Sequence, residues 1–197
     1  FKPQTMDPKR QRNQMNSSPL WQDSEPKRTE SELTMTINVL KGDITRQNVD
    51  AIVNSANPSL LAGGGVCGAI HKAAGPELEA ACKAIGRCGV GAAVITPAFN
   101  LSSKFVIHAV GPRWLDGMRG EPELLEQCYE SIFRSVAEND FRSVAIPSIS
   151  TGIYHYPLDA AAEIAMNVAR RHDKAAQLIR FICFDDDTLR AYELASQ

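Results

Sequence analysis

The chain has 197 residues, 44% hydrophobic and 22% charged, with a net charge of −2 and a pI near 6.1. That profile fits one soluble globular domain and excludes a fibrous or wholly disordered chain. The near-neutral balance offers no broad cationic surface for nucleic acid, and no apolar stretch approaches the roughly 20 residues a bilayer-spanning helix needs.

From Phe1 to about Thr34 polar and charged residues dominate, with only Phe1, Met6, Met15, Leu20, Trp21 and Leu33 as larger apolar groups. Such a segment builds no core, and a flexible extension is expected over residues 1–34. From Met35 onward strand and helix signals alternate. Thr36 to Leu40 and Ala51 to Val53 read as short strands. Gly68 to Ala74 and Glu77 to Ile85 read as helices on either side of Gly75-Pro76, the proline being suited to a first helical turn. Ala92 to Thr96 and Phe105 to Val110 read as buried strands. Glu121 to Glu138 is amphipathic, with Leu124, Leu125, Cys128, Ile132 and Val136 at helical spacing. Ser143 to Ile146 follows as strand, Leu158 to Arg171 as an alanine-rich helix, Leu178 to Phe184 as strand and Asp187 to Ala195 as a closing helix. The order β, β, α, β, β, α, β, α, β, α predicts an α/β fold, a sheet covered by helices on both faces. Ligands are then expected at the carboxyl ends of the strands.

Two distant segments, Ala62 to His71 (AGGGVCGAIH) and Ser148 to Tyr154 (SISTGIY), each follow an apolar strand and precede a helix. Glycine lets the backbone approach a ligand without a Cβ in the way, and a helix N-terminus adds free N–H donors and the positive end of a dipole. Together the segments predict a clamp of main-chain amides around a diphosphate. Other nucleotide motifs are missing: there is no Gly-x-x-x-x-Gly-Lys-Ser/Thr loop, no Gly-x-Ser-x-Gly elbow, and neither loop has the Gly-x-Gly-x-x-Gly spacing of a dinucleotide fold.

Polar residues beside these loops carry two readings each. Asp43 ends the first strand, where a carboxylate can accept from an exocyclic amine or simply cap the next turn. Asn54 and Asn57 end the second strand, as turn formers before Pro58 or as amides facing the ligand. His71 follows Cys67 by four residues and shares its helix face. That pair lacks further ligands nearby, Cys82 and Cys88 are isolated from other metal-binding residues, and no metal site or cofactor is expected. His108 lies within a strand and His172 at a helix end, neither in a catalytic setting; His155 faces either the ligand or solvent. The five cysteines are odd in number and lie mostly in apolar runs, which predicts reduced thiols in a cytoplasmic protein.

The ordered segments Gly42-Asp43-Ile44-Thr45, Val49 to Asn57, the Gly63 to Gly75 loop and helix, Val106 to Pro112 and Pro147 to Pro157 resemble the macrodomains, specifically the MacroD-type ADP-ribosyl hydrolases and O-acetyl-ADP-ribose deacetylases. The resemblance runs from about Thr36 to the C-terminus, making residues 35–197 a macrodomain. It implies a three-layer α/β/α sandwich with a mixed, mostly parallel sheet. It also implies a cleft for ADP-ribose or O-acetyl-ADP-ribose, with ADP-ribosylated proteins as partners. By that resemblance Asp43 bonds the adenine amine, and Ile44 and Phe184 line the adenine pocket. The loop with Gly64, Gly65 and Val66 and the loop with Ser150, Thr151, Gly152 and Ile153 wrap the diphosphate. Asn57 holds the distal ribose and Tyr154 packs against it. A monomer is expected, with no membrane or nucleic-acid partner.

One departure bears on catalysis. Hydrolytic members read Gly-Val-Asp-Gly-Ala-Ile-His where this chain has Cys67, so the carboxylate held to activate water or orient the ribose is missing. A neutral thiol is expected beside a bound diphosphate, since like charges oppose ionisation. Losing a general base costs about 10²–10⁴ in rate. The resemblance therefore implies a weakened hydrolase with Asn57 and Cys67 at the reacting end, with a non-catalytic ADP-ribose reader as the alternative.

Overall fold

The computed structural model describes residues 35–197; the extension expected over 1–34 lies outside the described residues. Six strands, β1 (Thr36–Lys41), β2 (Ala51–Ser55), β3 (Ala93–Pro97), β4 (Phe105–Ala109), β5 (Ser143–Pro147) and β6 (Leu178–Cys183), form one sheet in the order β1-β6-β5-β2-β4-β3. All neighbours pair in parallel except β3, which runs antiparallel to β4 at one edge. The helices are α1 (Gly65–Ala74), α2 (Pro76–Ile85), α3 (Glu121–Glu138), α4 (Leu158–Arg171) and α5 (Asp186–Ala195).

Alternate residues of the strands feed two separate cores, as the two-residue side-chain period requires. Ala51, Val53, Ile107, Ala109, Val144 and Ile146 pack against Leu125, Tyr129 and Phe133 of α3, Ala162 and Met166 of α4 and Tyr192 of α5. Ile52, Val106, Ala145 and Ile182 pack on the other face against Ile70 and Ala74 of α1 and Leu78 and Cys82 of α2. The result is a three-layer α/β/α sandwich with a mixed, mostly parallel sheet. Central strands covered on both faces explain why β2, β4 and β5 read as continuous apolar runs and not as alternation.

The structure sharpens several sequence boundaries. Two helices stand between β2 and β3, as the sequence reading placed them on either side of Gly75-Pro76: Gly75, at φ +89°, ends α1 and Pro76 opens α2. α1 starts at Gly65, three residues before the expected Gly68, so the glycine run forms the helix's first turn. β6 stops at Cys183, leaving Phe184 outside the strand and 87% exposed. The turn expected after β1 is a 3-10 helix at Ile44–Arg46 with Asp43 as its cap.

The chain leaves β2 toward β3 and β4 on one side and β5 toward β6 on the other. Divergence of this kind opens a crevice at the carboxyl ends of adjacent strands.

Candidate functional site

That crevice is a cleft of about 530 Å³, and all thirteen residues anticipated from the sequence line it. Asp43, Ile44 and Phe184 come from the ends of β1 and β6. Asn57, Gly64, Gly65, Val66 and Cys67 come from the segment between β2 and α1, and Ser150, Thr151, Gly152, Ile153 and Tyr154 from the loop after β5. The two distant loops therefore meet in one site.

Backbone geometry explains the convergence. A Cβ on Gly68 would strike the Gly63 carbonyl oxygen, so glycine there lets the loop lie against the first turn of α1. A Cβ on Gly111 would strike Ser150 and Ile149, so glycine in the β4–α3 connection makes room for the second loop. Ser150 itself sits at φ +66°, a conformation that costs a residue with a Cβ and persists only when the surroundings fix it. Here Tyr156 N–H donates to Ser150 O at 3.0 Å, His155 N–H to Gly152 O at 2.9 Å and Trp114 N–H to Tyr154 O at 2.9 Å.

The loops are rich in unpaired donors. Among the described residues, the N–H groups of Thr151, Gly152, Ile153 and Tyr154 have no acceptor. α1 opens with Gly64 as cap and no side-chain capping bond, leaving first-turn N–H groups without partners. Among the described residues, no lysine or arginine lines the cleft. Main-chain dipoles and a helix N-terminus thus supply its attraction for an anion. Beside the second loop stands Arg113, whose guanidinium carbon sits 5.4 Å from the Tyr154 ring centroid.

At the β1 end, Asp43 does what the simpler reading expected and leaves room for the other. Its Oδ1 accepts from Thr45 N–H at 2.9 Å and Thr45 Oγ1 at 2.7 Å. The Thr45 hydroxyl bond, then the backbone bond, hold its carboxyl below the ordinary aspartate value. Its Oδ2 has only Arg46 Nε, 3.6 Å away. Asp185 and Thr188 join this rim. They were missed because the closing helix was started too late; the Asp185 cap, Oδ1 accepting from Thr188 N–H at 2.8 Å, is the signal that finds them.

At the other end the two asparagines part company. Asn57 staples its own loop, Oδ1 accepting from Ser59 N–H at 3.1 Å and Ser59 Oγ at 2.6 Å while Nδ2 donates to Leu61 O at 2.7 Å. It still lines the cleft. Asn54 is fully buried behind the cleft, its Nδ2 3.1 Å from His108 Nδ1 and 3.6 Å from Cys67 Sγ. Cys67 is 5% exposed, and its thiol donates to Leu61 O at 3.7 Å. His155 is exposed and outside the lining, which favours solvent over ligand for that residue. His71, read as an ordinary polar residue of the helix, is buried. Cys82 is not isolated: it packs beside His71 and His108.

A three-layer α/β/α domain with an amide-lined anion cleft at its strand ends defines the class of protein. A Macro domain family model matches residues 53–165. The chain is 51% identical over 168 residues to an O-acetyl-ADP-ribose deacetylase of Salmonella gallinarum, spanning 81% of this chain and 93% of that one. It is 48% identical over 167 residues to a Macro domain-containing protein of Listeria monocytogenes, spanning 80% and 95%. Among solved structures it is similar to the Oceanobacillus iheyensis macrodomain with ADP (TM-score 0.79, 38% identity, 82% of this chain and 90% of that chain). It is also similar to the Trypanosoma brucei macrodomain in complex with ADP-ribose (TM-score 0.77, 36% identity, 82% and 69%). The chain belongs to the Macro domain family.

Proposed function

We propose that this chain binds ADP-ribose in the cleft and hydrolyses acyl esters of its distal ribose, on O-acetyl-ADP-ribose or on mono-ADP-ribosylated acidic side chains. The observation that carries the reading is the meeting of the two amide-rich loops across one cleft with Asp43 and Phe184 at one end and Asn57 and Cys67 at the other. The free N–H groups of 151–154 and of the α1 first turn suit a diphosphate. Asp43 Oδ2 is available to an adenine amine, with Ile44 and Phe184 against the ring. Asn57 keeps an N–H for the distal ribose, and Tyr154 packs on the sugar. The name of the Salmonella gallinarum relative supports ester hydrolysis.

In the proposed reaction a water oxygen bonds to the acyl carbon, the bond from that carbon to the ribose oxygen breaks, and ADP-ribose and a carboxylic acid leave. The proton of the attacking water has no carboxylate acceptor at position 67, because the Cys67 thiol directs its own hydrogen to Leu61 O. A diphosphate oxygen positions the water instead, and the proton the water sheds passes to the departing ribose oxygen. Binding then survives the cysteine better than turnover does.

Calorimetric titration with ADP-ribose is expected to show one site per chain; no heat and no thermal shift would remove the proposal. Cys67→Asp is expected to raise turnover of O-acetyl-ADP-ribose by about 10² or more, the low end of a general-base contribution. Equal or lower turnover in that variant overturns the role given to the missing carboxylate. Binding with no turnover in either form makes the chain a reader.

We also take residues 35–197 as the functional unit, acting as a monomer in the cytoplasm. Five free, buried cysteines support a reducing compartment, and no helix among the described residues is long and apolar enough to cross a membrane.

A further inference from the structure

Inside the layer formed by α1 and α2 three ligating side chains meet away from the cleft lining. One donor atom each from His71 of α1, Cys82 of α2 and His108 of β4 lies within 4.8 Å of the other two. The three residues are 7%, 0% and 0% exposed. Cys82 Sγ is 3.7 Å from His108 Nε2, and the two imidazole rings are 6.3 Å apart between centroids.

Two polar groups in this pocket are unexplained. Neither ring nitrogen of His71 has a hydrogen-bond partner, and neither does Asn54 Oδ1. Buried polar atoms without partners are rare and costly. Burial lowers His71 and brings His108 down to about 4, with His71 as a second cause for the latter. Both rings are therefore neutral at pH 7, the state in which imidazole binds metals.

We propose that His71, Cys82 and His108 form a binding site for a divalent transition-metal ion of the zinc class. Two imidazoles and one sulfur suit a borderline ion, whereas magnesium and calcium take oxygen donors. Tetrahedral zinc, with metal–nitrogen bonds of about 2.0–2.1 Å and metal–sulfur bonds of about 2.3 Å, sets donors roughly 3.3–3.6 Å apart. The Cys82–His108 pair is already near that spacing. A separation at the 4.8 Å limit has to close by about 1.2–1.5 Å for a tetrahedral ion.

The neighbours fit an ion bound at His108 Nε2. Thr96 Oγ1, 2% exposed, hydrogen-bonds that nitrogen at 2.9 Å, a bond the ion replaces. With Nε2 on the metal, Nδ1 carries the proton and needs an acceptor. The Asn54 amide faces Nδ1, and half a turn about its last bond presents the orphaned Oδ1 there. One ion thus gives a partner to His71 and to Asn54 together. Burial pushes the Cys82 thiol up to about 11, so binding displaces one proton. Because the same amide touches Cys67 Sγ, occupancy reaches the cleft.

The test is cobalt(II) added to the full chain after treatment with a chelator. Expected are one cobalt per chain, the visible bands of a tetrahedral ion, a near-ultraviolet sulfur-to-cobalt charge-transfer band, and stoichiometric displacement by zinc(II) with a rise in Tm. Cys82→Ser removes the charge-transfer band, His71→Asn weakens binding at least tenfold, and Cys67→Ser leaves the band in place. No bands and no Tm shift in the folded, unsubstituted chain overturn the proposal, as does a charge-transfer band that survives Cys82→Ser. These readouts need no ADP-ribose and no turnover.

Discussion

Gly152 shows how a single missing side chain serves the cleft. A Cβ built there meets nothing within 4 Å, and its φ lies outside the left-handed region. The fold therefore does not require glycine at this position. What a side chain would occupy is the space beside the free N–H groups of residues 151–154, where the diphosphate is proposed to sit. Gly152→Val is expected to keep the wild-type Tm within a few degrees and to lower ADP-ribose affinity at least tenfold. Calorimetry and a thermal melt on the same sample separate the two effects, and unchanged affinity removes the second loop from the clamp. Cys67 differs in kind, since its sulfur is engaged by Asn54 and Leu61, and Cys67→Asp replaces the thiol that donates to the Leu61 carbonyl with an acceptor-only carboxylate.

Among the elements, α3 depends on its first residue. Gly120 caps the helix in the left-handed region with no side-chain bond. Glu121 instead folds back on the preceding loop, Oε1 accepting from the N–H groups of Leu115, Asp116 and Gly117 at 3.1–3.3 Å and Oε2 from Arg119 at 2.7 Å. Desolvation alone would raise its carboxyl, but the backbone donors outweigh it and hold the group near about 2. A depressed carboxylate stabilises the fold above its unfolded value, and that contribution is lost as pH falls from about 4.5 toward 2. Glu121→Gln is expected to lower Tm at neutral pH and to flatten the Tm profile below pH 4.5. A parallel profile for the two proteins would show that the loop holds itself.

The same element shows which parts of the structure are legible in sequence. Glu121 to Glu138 and Leu158 to Arg171 were bounded correctly because apolar residues recur at helical spacing between clear stops. Glycine at four of the six positions 63–68 leaves too few side chains to carry a period, so α1 starts three residues earlier than the sequence reads. The two cleft loops were legible because backbone chemistry leaves a signature, glycines between strand and helix, whereas Ile44 and Phe184 came from the family resemblance alone. The buried cluster was not. His71, Cys82 and His108 belong to three elements separated by 11 and 26 positions, and only the packing of α1 and α2 on β4 brings them together.

For the molecule as a whole, the position of His108 within the sandwich has a consequence for acid stability. Its ring is fully buried in a layer where Cys82 from α2 and His71 from α1 approach it, and Thr96 and Asn54 occupy its nitrogens. Burial is the main cause that takes it from 6.5 in the unfolded chain to about 4. A histidine held neutral in the fold contributes stability that is complete above pH 6.5 and is lost as pH falls to about 4, because the unfolded chain then binds a proton the folded one refuses. The effect is on the order of 3 kcal/mol, a large share of a typical domain's stability. His71, also lowered by burial, titrates in the same direction. Stability of the metal-free chain against denaturant is expected to fall steadily from pH 6.5 to about 4.5, above the range in which the carboxylates Asp50, Glu121 and Glu130, all held low, add their own loss. His108→Gln, which cannot take up that proton, is expected to remove most of the slope in this upper window while leaving the lower one. Stability that stays level in the unsubstituted chain down to pH 4.5 would mean that the folded core accommodates a charged imidazole, and the close packing of α1 and α2 over β4 would have to open to let it do so.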